Sequence, residues 1–197
     1  MEETENPKFQ QIVSKARGLF MRFGIHRVSV EEVCREAGVS KMTFYKHFRN
    51  KTELVQFILN QIAQQALDRY NGIMDQDVPY SEKVKQIIQM KLDQTEEVTT
   101  EFIKDFVNNA EPEIAEWYQR VVQERMMLFL NHLREAQRDG SLRSDVNPEF
   151  IVYIMNRMIE MVYDDNLVRL YESPKELTAE LMNFLFYGIL PRKEGEF

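Results

Sequence analysis

Between Ser40 and Lys51 the chain reads Ser-Lys-Met-Thr-Phe-Tyr-Lys-His-Phe-Arg-Asn-Lys, interleaving cations and hydroxyls with two phenylalanines. Phe44 and Phe48 stand four residues apart and share one face of a helix, which leaves Lys41, Thr43, Tyr45, Lys46 and His47 pointing elsewhere. At the start of such a helix Lys41, Met42 and Thr43 would project into a DNA major groove about 12 Å wide. There a lysine donates to guanine acceptors, and methyl-bearing side chains touch thymine methyls. Tyr45, Lys46, His47 and Lys51 carry donors suited to phosphates, as do Ser29 and the free amides of the helix it opens. The first three are expected to read bases and the rest to position the backbone. A short basic helix standing alone is more often a solvated face, so the surrounding elements must make the case.

Those elements are helices. Apolar residues recur at three and four rather than at two, with only 7 Gly and 6 Pro in 197 residues. Ile12, Ala16, Leu19, Phe20 and Phe23 mark one face of a helix over residues 8–23, and Gly24 stops it. Ser29-Val-Glu-Glu32 reads as a capping box opening a short helix through Ala37, with Gly38 as its stop. A third helix starts at Ser40 and runs to about Phe48. Asn50-Lys-Thr-Glu53 repeats the capping logic for a long helix to about Met74. A short helix, a tight turn at Gly38 and a second short helix make a helix-turn-helix.

At these residues the sequence resembles the TetR family. The resemblance runs from Ala16-x-x-x-Phe20 through Phe23-Gly24, Ser29-Val-Glu-Glu-Val33 and Ala37-Gly-Val-Ser40 to Thr43-Phe-Tyr45, His47-Phe48 and Lys51-Thr-Glu-Leu54. It implies nine or ten helices, a homodimer on palindromic operator DNA, and repression relieved by a small molecule bound in the C-terminal domain. It also implies backbone contacts for Tyr45, His47 and Lys51. Beyond Leu54 only the general layout matches, although Asp139-Gly-Ser-Leu-Arg143 before Pro148 looks like the connection that precedes the family's dimerisation helices. Met42 stands where many members carry a smaller residue.

Charge divides the chain in the same way. Residues 7–55 hold ten lysines and arginines against four acids, while residues 56–197 hold fifteen against twenty-five, within an overall charge of −7. A basic head on an acidic body suits a DNA-binding domain over residues 1–54 and a ligand-binding and dimerisation domain over 55–197. The fold class expected is all-α, a three-helix head followed by a helical bundle.

In the body, helices are expected over residues 81–95, 99–108 and 112–138, from Pro148 to about Tyr171, and from Pro174 to near Gly188. Met90, Phe102, Phe106 and Trp117 supply large adaptable apolar groups. Core packing is the ordinary role of each, yet together they permit an apolar pocket. Tyr118, Arg125, Asn156 and Arg157 are its candidate polar anchors, although Arg157 has an alternative ion-pair partner in Glu160, three residues on. Around residues 150–163 the helix is apolar almost all round and must be covered on both sides. Met155, Ile159 and Val162, with Leu177, Leu181 and Phe184 on the last helix, are the expected faces of an intersubunit four-helix bundle.

Other functions are less well served. The longest apolar run, residues 150–155, is far short of the ~20 residues of a membrane span, and the acidic start lacks a signal-peptide layout, so a cytoplasmic protein is expected. The single cysteine, Cys34, allows no intramolecular disulfide, and neither His26 nor His132 has neighbouring cysteines for a metal. No catalytic constellation, metal site or cofactor motif is legible. Asp164-Asp165 reads as solvated helix surface, since successive helical residues diverge by ~100°. A helical enzyme, or a protein-interaction module with an incidental helix-turn-helix, is the alternative.

Overall fold

The structure, a computed structural model, describes residues 6–96, 111–162 and 164–189. Among these every regular element is a helix: α1 Pro7–Phe23, α2 Val30–Ala37, α3 Lys41–His47, α4 Lys51–Met74, α5 Tyr80–Glu96, α6 Pro112–Arg138, α7 Pro148–Met161, α8 Asp165–Val168 and α9 Pro174–Ile189. None is long and apolar enough to cross a membrane. The helix expected over residues 99–108 lies outside the described residues.

Side-chain caps set most helix starts. Asn6, Ser29, Ser40 and Asn147 each accept from a backbone N–H one turn inside their helix. Asn50 Oδ1 accepts from Glu53 N at 2.8 Å, and Glu53 reaches back to Arg49 N at 2.6 Å, which satisfies a donor just ahead of α4. That hydrogen bond, with the Arg49 guanidinium beside it, holds the Glu53 carboxyl below its ordinary range. Between α2 and α3 the chain turns at Gly38, whose φ of 63° is left-handed backbone that a Cβ would strain. Its N–H and that of Val39 then return to the carbonyls of Arg35 and Cys34.

The chain forms two compact units, Met1–Leu67 with Glu97–Arg120, and Asp68–Glu96 with Val121–Phe197. In the first, α1, α2 and α3 pack on one another. Ile12, Ala16, Phe20, Val33 and Phe44 are all but sealed from solvent, and Cys34 is buried among them. Phe9 stacks on Phe48 at 5.2 Å and meets Phe57 edge-on at 5.1 Å. Leu54, Val55, Ile58 and Leu59 of α4 complete this core, together with Ile114. The packing unit therefore extends past Leu54, because the apolar stripe of α4 continues for two turns beyond its cap.

In the second unit, α9 packs on α5 and α7. Its core joins Val84, Ile87, Leu133, Ile151, Phe186 and Ile189. Tyr70 Oη and His132 Nδ1 lie 2.8 Å apart beside Phe129. Arg143 fastens the connection after α6 to the end of α9 by donating to the carbonyls of Gly188 and Ile189 at 3.1 and 3.2 Å.

One helix expectation is corrected. The element starting at Pro148 ends at Met161 instead of continuing to Tyr171, and Asp164 precedes the separate short α8, which starts at Asp165. Asp164 Oδ1 accepts from Asn166 N at 2.8 Å while its carbonyl takes the N–H of Val168. Asp164 is thus a cap, not one residue of a solvated helical pair.

Candidate nucleic-acid interface

The second helix of the motif is built from both sides. Ser40 Oγ accepts from Thr43 N at 3.1 Å and sits 3.0 Å from Thr43 Oγ1, so Thr43 is tied into the cap that starts α3. Phe44 is fully buried and Phe48 nearly so, fixing the inner face. On the outer face Met42 is 70% exposed and Tyr45 55% exposed, with Lys41 and Lys46 exposed beside them. Tyr45 leans edge-on against Phe44 at 5.3 Å while more than half of it stays in solvent. Half-buried His47 packs edge-on against Phe9 at 5.6 Å.

Two charged candidates have partners that spacing alone does not reveal. Lys51 Nζ donates to the carbonyls of Ile25 and Val28 at 3.1 and 3.2 Å, tying the start of α4 to the loop before α2. An ammonium has three N–H groups, and these carbonyls take two. Lys41 pairs with Glu31 through Nζ and Oε1, joining the first turns of α3 and α2. The pairing lowers the Glu31 carboxyl below its ordinary range and raises the Lys41 ammonium above its own, the hydrogen bond between them being the main cause. Glu31 is the residue at this surface that sequence reasoning missed, since the turn between helices sets which residues meet across it. Ser29, exposed next to Glu31, spends its Oγ on Glu32 N at 3.2 Å.

The body candidates are divided between the two units. Phe102 and Phe106 lie outside the described residues. Trp117 and Tyr118, both half-buried, belong to the first unit, where Trp117 packs against the same core as Phe20 and Phe44. Met90, Arg125, Asn156 and Arg157 belong to the second. There Met90 is buried, Arg125 and Asn156 are half-buried, and Arg157 is exposed. Arg157 makes the local ion pair, donating to both carboxylate oxygens of Glu160 at 2.9 and 2.7 Å beneath a cation-π contact with Tyr153 at 5.4 Å.

Of the residues expected at a subunit interface, Met155, Val162 and Leu181 are half-buried, and the side chain of Ile159 lies outside the described atoms. Leu177, 1% exposed, is already covered within its own chain. Phe184 stands 80% exposed, and Phe150, Tyr153, Met161 and Tyr187 of α7 and α9 are exposed as well. The described residues hold no group of three or more His, Cys, Asp or Glu placed to ligate a metal.

Two short helices crossing at a glycine turn, with the second helix apolar inward and cationic, aromatic and thioether outward, define a helix-turn-helix DNA-binding head. The profile of the family described as "Bacterial regulatory proteins, tetR family" matches residues 12–58. The HTH-type transcriptional regulator YdgC of Bacillus subtilis (strain 168) is 26% identical over 93% of each chain. Regulatory protein TetR from Rhodobacter sphaeroides shares the fold at a TM-score of 0.77 and 14% identity, covering 94% of this chain and 100% of its own. A transcriptional regulator from Saccharomonospora viridis in complex with choline does so at 0.74 and 19%, covering 93% and 97%. Residues 12–58 thus match the DNA-binding domain of the tetR family, and the chain is a DNA-binding transcriptional regulator.

Proposed function

We propose that the chain is a cytoplasmic repressor without enzymatic activity that binds a palindromic operator as a homodimer and is released by a small apolar or amphipathic ligand. The observation that carries the reading is the division of α3: Phe44 and Phe48 are spent on the core, while Lys41, Met42, Tyr45 and Lys46 face solvent. In this reading residues 1–54 contact DNA, with Lys41, Met42 and Thr43 at base edges and Ser29, Tyr45, Lys46, His47 and Lys51 along the phosphates.

Residues 55–197 dimerise and take the ligand. The exposed aromatic and thioether groups of α7 and α9 support a second copy as their cover, since a monomeric protein rarely presents so many large apolar side chains. The choline complex of the Saccharomonospora viridis regulator supports a small-molecule effector. Met90, Arg125 and Asn156 in one unit and Trp117 and Tyr118 in the other are the residues to probe for it.

Nuclease footprinting combined with sedimentation tests the reading. The expected result is a symmetric footprint with half-site centres about 34 to 36 Å apart, occupied by two chains, with affinity falling steeply as salt rises. A ligand that raises the chain's melting temperature should weaken that complex. An asymmetric or sequence-independent footprint would refute the operator assignment.

A further inference from the structure

We propose that Glu31 and Lys41 act together as a single reader of one G·C base pair, with Lys41 on the guanine and Glu31 on the cytosine. The proposal rests on α3 being the helix that enters the major groove.

The pair is an ion pair across the two helices of the motif, formed by the second residue of α2 and the first of α3, and both side chains are more than half exposed. Contact with Lys41 places the Glu31 carboxylate on whatever surface Lys41 faces. Met42, the next residue along α3, is 70% exposed and carries no charge that would compete with the pair.

The chemistry of the two groups matches one base pair best. In the major groove guanine presents two neighbouring acceptors, N7 and O6, and cytosine presents the N4 amino donor beside O6. An ammonium donating to N7 and O6 therefore stands next to a position where an acceptor is wanted, and a carboxylate is acceptor-only. The donor-acceptor pair on the protein thus mirrors the acceptor-donor pair on the base edge. An A·T pair fits less well, since its acceptors, adenine N7 and thymine O4, lie on either side of the adenine amino group and a lysine can take only one of them, whereas guanine N7 and O6 are neighbours. Against phosphates the arrangement is unfavourable, because the carboxylate repels the anion that the lysine attracts. The same pairing keeps Lys41 from settling on the backbone of unrelated DNA.

Binding-site selection with the full-length chain and with the variants Lys41→Ala, Glu31→Gln and Glu31→Asp tests this. The wild-type consensus should contain one G·C pair per half-site at which Lys41→Ala loses preference. Glu31→Gln should lose preference at that same pair, by roughly tenfold per half-site, with Glu31→Asp retaining part of it. In the Lys41→Ala background Glu31→Gln should change affinity for that base pair much less than it does alone. Glu31 is exposed, so melting curves of the variants should overlay the wild type. A Glu31→Gln protein that keeps the consensus and binds all DNA more tightly by one factor would overturn the proposal and leave Glu31 as a counter-charge. An A·T pair at the position read by Lys41 would overturn it too. A wild-type chain that selects no sequence would instead sink the operator reading on which the proposal stands.

Discussion

Trp117 Nε1 donates to Asn60 Oδ1 across 2.6 Å, joining the second turn of α6 to the third turn of α4 within the first unit. Beside it Ile114 is buried in the core that positions α3, and Thr52 bonds to Glu111. The beginning of α6 is therefore part of the packing that supports the DNA-binding head.

Trp117 is the only tryptophan, so its emission reports on this junction. Asn60→Ala should shift that emission and cost about 0.5–1.5 kcal/mol, the usual net worth of one hydrogen bond. Urea denaturation followed by fluorescence checks this. Emission and stability both unchanged would mean that the bond does not hold the two helices together in solution.

Lys51 links the start of α4 to the loop that delivers Ser29 and α2. Lys51→Met keeps much of the side-chain bulk but removes the donors, leaving the carbonyls of Ile25 and Val28 without this partner. A loss of about 1–3 kcal/mol is expected from the missing charge-assisted bonds. Operator affinity should fall with it, and the salt dependence should become shallower by about one unit for each phosphate the lysine no longer neutralises. Calorimetry and a salt titration separate the two roles; a variant matching the wild type in both would leave Lys51 with neither.

Phe184 and Leu177 lie on one helix but differ in surroundings, at 80% and 1% exposure. Phe184→Glu should leave the isolated chain folded while splitting the proposed dimer, because the charge is solvated until a partner covers it. Leu177→Ala should instead destabilise the chain itself by about 2–5 kcal/mol. Analytical ultracentrifugation beside circular dichroism distinguishes them, and an intact Phe184→Glu dimer would move the interface elsewhere.

Burial pushes the Tyr80 phenol up to about 12 and raises the Tyr70 phenol as well. An unfolded tyrosine ionises near pH 10. Between about pH 10 and 12 the unfolded chain therefore binds fewer protons than the folded one, and stability falls as pH rises. The contribution is complete below pH 10. Tyr80→Phe should flatten this alkaline decline in melting temperature; an equal slope in the variant would show that Tyr80 is not its source.

Local chemistry made much of the architecture legible. Ser29, Ser40 and Asn50 announce helix starts by side-chain oxygens that reach only two or three residues, and Phe44 with Phe48 announces the inner face of α3 by spacing alone. What sequence missed depends on contacts across turns. Lys51 meets carbonyls 23 and 26 residues away, and Glu31 meets Lys41 only because Gly38 sets the angle between their helices. The break at Asp164 was hidden for a different reason. No glycine or proline marks it, the apolar pattern continues to Val168, and the same aspartate can serve as helix surface or as cap.

Cys34 lies buried in the head core, its thiol pushed up by burial first and by nearby Glu31 second. A thiol in that position reacts only when α2 parts from its neighbours, and no second cysteine competes for reagent. The head therefore carries its own clock for local opening. The rate at which an alkylating agent captures Cys34, divided by the rate for a free thiol of the same acidity, gives the fraction of time the recognition fold stands open. Operator DNA that clamps the fold shut must slow that clock in proportion to how tightly it is held.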